Sequence, residues 1–162
     1  MAQLKRKDFA HYFDTSTTGT GEANWVLEGI GVEALSLAYN PQIDTFKQII
    51  DDVASSTFDS YQIQSSVSGK KIDKDDKIWK WLNEARKKAE SIETKMLEVD
   101  MSSATSGLGT TYEALQYNVL IVINEFLGEN ATISYDVYVK GKPTVGSVTI
   151  SNGKPSFTVS AD

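Results

Sequence analysis

The sequence predicts a mainly β fold with one α-helix, in which the helix packs on the flank of a β-sandwich or barrel. Long segments toward the C-terminus alternate apolar and polar residues, as strands with one buried face do. One central segment repeats apolar residues at helical spacing. Residues typical of turns separate these segments. We expect a single domain over residues 1–162, because a chain of this length buries a sufficient core without disulfides or metals.

Residues 1–20 are expected to form an N-terminal arm and loop. Three aromatic residues stand there among lysine and aspartate, and a stretch rich in threonine and glycine follows them. Large aromatic side chains are unusual on a disordered tail, so we expect them to dock, either within the same subunit or on a neighbouring one. These residues are Phe9, Tyr12 and Phe13.

Two short strands, over 25–30 and 34–39, are expected next, with a glycine-containing turn between them. Asn40-Pro41 ends the second strand. Residues 41–60 are expected to be a long, partly ordered loop, and long loops on compact domains are often functional. The apolar residues of this loop have a spacing compatible with one or two helical turns; they are Ile43, Phe46, Ile49, Ile50 and Val53.

The clearest helix is expected over residues 74–92. Asp73 is the expected N-cap, with Asp76 three residues further on. The basic residues at 86–88 suit the negative end of the helix dipole. An apolar stripe with a period of 3.6 residues should face the sheet. Its central members are Ile78, Trp81, Leu82 and Ala85.

Residues 94–160 are expected to form a meander of strands. The segments 112–127 and 132–139 alternate apolar and polar residues over most of their length. The middle of the first segment is apolar on both faces, which indicates burial on both sides. A turn at 151–155 predicts a closing hairpin.

The sequence offers no catalytic constellation. It has no cysteine and a single histidine, His11, so catalytic triads, thiolate nucleophiles and structural zinc sites lack their parts. The paired acids Asp51-Asp52 and Asp75-Asp76 lack the ligand spacing of a calcium loop, and the second pair suits the start of a helix. We therefore expect no enzymatic activity, no cofactor and no metal.

The charge is unevenly distributed along the chain. Residues 70–95 carry nine basic and six acidic groups, whereas the rest of the chain carries seven basic and sixteen acidic groups. Only two arginines are present, which does not match the basic stripe of a nucleic-acid-binding surface. An acidic body repels DNA, or it simply keeps the protein in solution.

No membrane-spanning segment is expected. The longest aliphatic run, Val119 to Ile123, is far short of the roughly 20 residues that cross a bilayer. The N-terminus shows a basic patch without the apolar region of a secretion signal, so we expect folding in the cytoplasm.

Three tryptophans leave a binding function open. Trp25, Trp79 and Trp81 would suit a monomeric carbohydrate-binding β-domain if they formed a common platform. Positions 79 and 81 on the predicted helix favour core packing instead.

Five fragments of the sequence occur in a specific order and spacing. They are Lys5 to Ala10, Trp25 to Gly31, Ala38 to Phe46, Lys74 to Ile78 and the meander from Tyr135 to Phe157. With this arrangement the chain resembles the major tail proteins, or tail tube proteins, of siphophages over essentially its whole length. The likeness is greatest to those of phages and prophages of Gram-positive bacteria.

The resemblance implies a β-sandwich core of the tail tube type with a flanking helix. It implies that subunits form hexameric rings and that the rings stack into the tail tube, through which DNA is ejected into the host. The implied partners are further copies of the chain, the tape measure protein, the tail terminator and the distal tail or baseplate proteins. DNA would pass transiently and without specificity, and no membrane would be bound. The protein would be made and assembled in the host cytoplasm and reside in the virion tail.

The same fold serves in related machines, so an inner tube of a contractile tail, or of a secretion or bacteriocin-like injection machine, is the structural alternative. By position in the fold, the resemblance implies inter-ring contacts from the arm and the long loop, and an acidic lumen. The candidates for inter-ring contact are Phe9, Tyr12, Phe13, Phe46, Ile49 and Ile50. The candidates for the lumen are Glu98, Glu125 and Asp136.

Overall fold

A computed structural model of the protein describes residues 3–4, 8–16, 22–32, 35–105 and 110–160. The described part contains nine strands and one helix. In chain order they are β1 (Phe9–Asp14), β2 (Trp25–Leu27), β3 (Pro41–Phe46), β4 (Ser55–Tyr61), β5 (Gln64–Lys71), α1 (Lys77–Lys88), β6 (Ile92–Thr105), β7 (Thr111–Leu127), β8 (Thr132–Ser151) and β9 (Lys154–Val159). The predicted fold class, mainly β with one flanking helix, is confirmed.

Seven strands form one antiparallel sheet in the order β2-β1-β6-β7-β8-β5, with β9 paired to β8. Strand β8 is 20 residues long and pairs with β7 along most of its length. Its other edge pairs with β5 near residues 132–138 and with β9 near residues 146–151. The sheet curves into a nearly closed barrel, which buries residues on both of its faces.

The two faces of the sheet carry separate cores, because successive residues of a strand point to opposite faces. Phe13 and Met96 face each other across β1 and β6 on the side that α1 covers, which we call the helix face. Tyr12 and Leu97 lie on the opposite side, which we call the outer face. The largest fully buried side chains of the core under the helix are Phe13, Ile78, Leu82, Met96, Tyr117 and Tyr135.

The helix begins at a cap different from the predicted one. Asp76, and not Asp73, is the N-cap, and its carboxylate accepts the N–H of Ile78 at 3.0 Å. Asp73 closes the preceding turn by accepting the N–H of Asp75 at 2.8 Å. The helix ends at Ala89, which adopts the left-handed conformation with φ 53°. It is therefore shorter than the predicted range 74–92.

Three members of the predicted apolar stripe, Ile78, Trp81 and Leu82, pack in the core under the helix. Ile78 and Leu82 are fully buried against the helix face, while Trp81 and Ala85 are half-buried at the margin of the contact. The Trp81 ring packs 6.0 Å from the ring of Phe13, so the stripe connects α1 directly to β1.

The expectation of an arm in the first twenty residues is wrong for residues 9–14, which form β1, an inner strand between β2 and β6. Of the two expected docking places for its aromatic residues, Tyr12 and Phe13 occupy the one within the same subunit. Both faces of β1 are buried, since His11 and Phe13 lie on one face and Tyr12 lies on the other. The rest of the expected arm, 1–2, 5–7 and 17–20, lies outside the described residues.

The expectation of a long, partly ordered loop over 41–60 is also wrong. Its residues form an antiparallel hairpin of β3 and β4, with a register shift between Gln42 and Ile43. The strand expected over 34–39 is reduced to one bridge between Ala38 and Gln64, and position 34 lies outside the described residues. The predicted meander is confirmed as β6 to β9.

Candidate functional site: an exposed apolar hairpin

The hairpin of β3 and β4 is anchored at its base by aromatic and polar contacts. The Tyr61 ring packs 5.6 Å from Tyr39 and 4.7 Å from Phe58, measured between ring centroids. Asn40 adopts a positive φ of 44°, and its side-chain amide donates to the carbonyl of Gln62 at 3.1 Å. These contacts fix the direction in which the hairpin leaves the domain.

The tip of the hairpin, residues 46–53, exposes large apolar side chains. The Asp51 carboxylate accepts the N–H of Gln48 at 3.1 Å and closes the turn. An isolated two-stranded hairpin is marginally stable in water, and monomers rarely expose such a concentration of aliphatic groups. The exposed fractions are 67% for Phe46, 103% for Ile49, 82% for Ile50 and 79% for Val53. The tip therefore has the properties of a contact surface without its partner.

The hairpin is also acidic. Residues 41–61 include four aspartates and one lysine, Lys47. Asp44, Asp52 and Asp59 are exposed, and Asp51 is half-buried in the turn. The tip therefore combines apolar side chains with negative charge, which restricts the surfaces it can bind.

The six residues predicted for inter-ring contact separate into two groups. Phe46, Ile49 and Ile50 lie together at the exposed hairpin tip. Phe13 is fully buried and Tyr12 is 6% exposed, so both are occupied within their own subunit, and the prediction that they contact a neighbour is wrong. Phe9 is half-buried at the open end of the helix face.

The three acids predicted for a lumen do not share one face. Glu125 is the Cα partner of Ser134, and Ser134 and Asp136 lie on the outer face two residues apart. Glu98 lies on the helix face, and its carboxylate oxygen Oε2 is 3.0 Å from His11 Nε2. Glu125 and Asp136 therefore belong to one surface, and Glu98 belongs to another.

The outer face is uncovered and polar over the half of the sheet away from the second core. Two rows of residues cross β6, β7 and β8 there, and all of their side chains are exposed except that of the half-buried Leu120; the rows are Lys95–Asn118–Lys140 and Glu93–Leu120–Tyr138. Lys140 pairs with Glu93 at 2.9 Å, and the Tyr138 hydroxyl donates to Asp136 at 3.2 Å. Although partial burial opposes the change, hydrogen bonds from Asn124, Ser66 and Tyr138 lower the pKa of Asp136. The charged side chains of this surface are Glu93, Lys95, Glu125, Asp136 and Lys140.

A buried ion network lies beneath the N-terminus of the helix. Lys70 Nζ donates to Glu28 Oε1 and to the carbonyl oxygen of Ile30, each at 2.6 Å, and lies 2.8 Å from Asp76 Oδ2. The Tyr135 hydroxyl donates to Glu28 Oε2 at 2.6 Å. Lys70, Glu28 and Tyr135 are fully buried or nearly so. The network joins the segment after β2 to β5, β8 and the helix cap.

Two carboxyl groups share one ammonium group in this network. Burial raises the pKa of Glu28, although the charge of Lys70 and the hydrogen bonds from Lys70 and Tyr135 oppose the change. Burial and the neighbouring Glu28 carboxylate raise the pKa of Tyr135 well above its ordinary value, so the phenol remains a donor. The network is structural in its connections, because it fixes the helix cap to the sheet.

The network was not apparent from the sequence. Lys70 stands in a polar segment where an exposed lysine is the ordinary expectation. The only available signal was Glu28, a charged residue inside the apolar segment 25–30. A pairing between groups 42 residues apart needs the topology of the sheet to become visible.

The described residues show no arrangement for metal chemistry. Within those ranges, no group of three or more histidine, aspartate or glutamate side chains is placed to hold a metal ion. In the same ranges, no helix is long and apolar enough to cross a membrane. Trp25 packs on the second core, while Trp79 and Trp81 belong to the core under the helix, so the tryptophans do not form a common platform.

Comparison with known proteins gives no family assignment: no protein-family model matches the chain, and no curated protein matches it. The functional interpretation therefore depends on the surfaces described above. Among them, the hairpin tip has the strongest requirement for a partner, because its aliphatic side chains are the most exposed.

Proposed function

We propose that this chain is a structural virion protein that assembles into stacked hexameric rings and forms the tail tube of a long-tailed bacteriophage. The observation that carries the proposal is the hairpin of β3 and β4, whose tip exposes four large apolar side chains at 67% or more. Burying such side chains stabilises an interface by about 1.5 to 3 kcal/mol for each fully covered residue. In a tube protein, the partner that buries these side chains is another copy of the same chain.

The strand arrangement supports assembly through sheet edges. The sheet order ends at β2 on one side and β5 on the other. The outer edge of β5 is bridged at Gln64 by Ala38 and at Lys71 by Gly31, and no described strand pairs with it between these contacts. Because the two edges differ, pairing between copies would be heterologous, and such contacts form a ring when the rotation between copies closes.

The outer face supports the proposed channel. Its uncovered half carries Glu93, Glu125 and Asp136 against Lys95 and Lys140. The uncharged side chains there are those of Asn118 and Tyr138 and the half-buried Leu120 and Val122. A wall with little net charge and a slight excess of carboxylates would not bind a polyanion tightly. In the proposed tube this half of the outer face lines the lumen, whereas Glu98 lies on the opposite face of the sheet.

The arrangement of the tryptophans favours assembly over carbohydrate binding. A binding platform needs aromatic faces that are exposed together, but Trp81 packs on Phe13 and Trp79 stacks on Phe126 with a centroid distance of 6.1 Å. Trp25 lies in the other core. The side chains that are exposed together are the aliphatic groups of the hairpin tip.

The test is the assembly state of the purified full chain. Sedimentation velocity at increasing protein concentration, followed by negative-stain electron microscopy, should show rings and then tubes with a central channel. A chain that stays monomeric at every concentration, salt and temperature contradicts the proposal. Tubes from a mixture with candidate sheath proteins would further distinguish a contractile tail from a non-contractile one.

A further inference from the structure

We propose that the hairpin tip of one copy docks on the corner formed by Trp79, Arg86 and Phe126 of the next copy, which we call the aromatic corner. This inference rests on the proposed function, because it names the receiving surface for the exposed hairpin. It joins an acidic, apolar hairpin tip to an aromatic surface on a basic helix.

The aromatic corner is a preformed apolar surface. Trp79 of the helix stacks on Phe126 at the end of β7, with ring centroids 6.1 Å apart and planes 12° from parallel. The guanidinium carbon of Arg86 lies 4.2 Å from the centre of the Phe126 ring. Asn83 accepts the Nε–H of Arg86 at 3.0 Å and holds it in this position. Phe126 nevertheless remains 40% exposed, so part of the corner is open.

The helix that carries the corner is basic. Residues 77–88 include five basic groups and one acidic group, Glu84. Lys80 and Lys87 are exposed on the same helix, and Lys87 pairs with Glu84 at 3.3 Å. Glu125 precedes Phe126 in β7 but lies on the opposite face of that strand. Glu129 is exposed in the turn that follows β7. Aspartates of the hairpin would therefore meet a surface of opposite charge.

A larger groove with apolar groups in its lining does not fit the hairpin. It has a volume of about 450 Å³ and is lined by Phe9, Leu115 and Val145 at the open end of the helix face. Three carboxylates, those of Glu98, Asp100 and Glu113, also line it. Like charges placed together across an interface cost binding energy, so the acidic hairpin tip is excluded from this groove.

A cysteine cross-linking experiment tests the contact directly, because the chain has no cysteine of its own. One chain carries Ile50→Cys at the hairpin tip, and a second chain of different size carries Lys80→Cys on the exposed side of the helix, which keeps the hydrogen bond between Asn83 and Arg86. The two chains are assembled together with an excess of wild-type protein and oxidised. A disulfide between them can only be a contact between copies, since each chain has one thiol.

We expect the mixture to give a cross-linked heterodimer on a non-reducing gel. The matched control replaces the second chain by one with Ser66→Cys, an exposed position on β5 that faces away from the helix. Cysteines whose Cα atoms lie more than about 7 Å apart do not form a bridge without backbone movement, so the control should give no such band. Tubes without the Lys80 band, or with an equal Ser66 band, overturn the inference and leave the proposed function intact.

Charge reversal provides a second measurement. Asp44→Lys with Asp52→Lys should abolish assembly of the full chain, while Asp51 is retained because it closes the turn of the tip. Adding Lys80→Glu and Lys87→Glu to the same chain should restore tubes. Failure of restoration while the four-fold variant is folded overturns the contact. Wild-type protein that forms no tubes under any condition overturns the proposed function itself, which is a different result.

Discussion

The ammonium group of Lys70 lies 2.6 Å from a carboxylate oxygen of Glu28, and neither side chain is exposed to solvent. A second lysine–glutamate pair, Lys140 with Glu93, has a similar distance of 2.9 Å, but its side chains are 51% and 68% exposed. The two pairs have the same chemistry in opposite environments. They therefore allow the effect of burial to be separated from the effect of pairing.

The first prediction concerns the loss of the buried lysine. Lys70→Met should lower the free energy of unfolding by about 3 to 5 kcal/mol, because it leaves the carboxylates of Glu28 and Asp76 buried without their cation. Lys140→Met, the matched control, should cost less than about 1 kcal/mol, because water screens the exposed pair. Urea denaturation followed by tryptophan fluorescence measures both. Equal effects of the two substitutions would show that burial of the network does not determine stability.

The second prediction is a pH dependence that Glu28 causes. Its pKa is raised above the ordinary glutamate value of 4.5 by burial, so the folded protein holds more protons than the unfolded chain between the two values. The contribution of Glu28 is therefore fully present below pH 4.5 and is lost as the pH rises through the raised pKa. Glu28→Gln cannot ionise and should remove this part of the slope.

The measurement is the free energy of unfolding of wild type and Glu28→Gln from pH 4.5 to neutral pH. Glu93→Gln is the control, because it makes the same change of charge in the exposed lysine–glutamate pair. Glu28→Gln should also cost less stability than Lys70→Met, because Lys70 keeps Asp76 as its counter-ion. Parallel pH curves for wild type and Glu28→Gln would contradict the prediction.

The sequence was sufficient for elements whose pattern serves the subunit's own core. The helix stripe with Ile78 and Leu82 and the alternation along β7 and β8 both face buried surfaces, so their periods match their secondary structure. The sequence did not predict the hairpin of β3 and β4, because Phe46, Ile49 and Ile50 do not pack in the subunit. The spacing of such exposed residues carries no information about the local backbone. Their exposure, which supports the proposed interface, was visible only in three dimensions.

Strand β1 was difficult to predict from the sequence for a different reason. Phe13 and Tyr12 stand in a short segment between polar stretches, and a strand of six residues with both faces buried shows no simple alternation. Its place in the sheet comes from pairing with β6, about 85 residues later in the chain. Long-range pairing of this kind cannot be derived from local pattern.

The third prediction uses two glycines that share a backbone conformation. Gly31 and Gly69 both have positive φ, at 74° and 64°. A Cβ at Gly69 would meet no atom within 4 Å, whereas one at Gly31 would lie 2.3 Å from the carbonyl oxygen of Lys71. Gly69→Ala should therefore cost about 1 to 2 kcal/mol for the left-handed backbone alone.

Gly31→Ala should cost clearly more than Gly69→Ala, because the backbone of β5 must also move away from the new methyl group. The movement would disturb the hydrogen bond from Lys71 N–H to the Gly31 carbonyl, which is 3.0 Å long. Thermal unfolding of both variants checks the order. A larger loss of stability for Gly69→Ala would show that the close approach is relieved without cost.

The fourth prediction separates folding from assembly. Ile49→Ser with Ile50→Ser should change the free energy of unfolding by no more than about 0.5 kcal/mol per site, because both side chains are exposed in the subunit. The same variant should fail to form tubes. Phe13→Ala is the contrasting variant, and it should lower stability by about 3 to 5 kcal/mol, because the ring is fully buried. Normal tube growth by the double serine variant would remove the hairpin from the interface.

The fifth prediction compares two deletions at segments that the sequence assigned to contacts between subunits. Removal of residues 1–14 deletes β1, so β2 and β6 lose their common partner and the chain should lose cooperative unfolding. Replacement of residues 47–54 by Asn-Gly removes only the hairpin tip and joins the paired residues Phe46 and Ser55 by a two-residue turn that suits two antiparallel strands. That variant should unfold like wild type but remain unassembled. Far-UV circular dichroism and sedimentation velocity measure the two properties, and a folded, cooperative 1–14 deletion would contradict the central role of β1 because the sheet would then close without it.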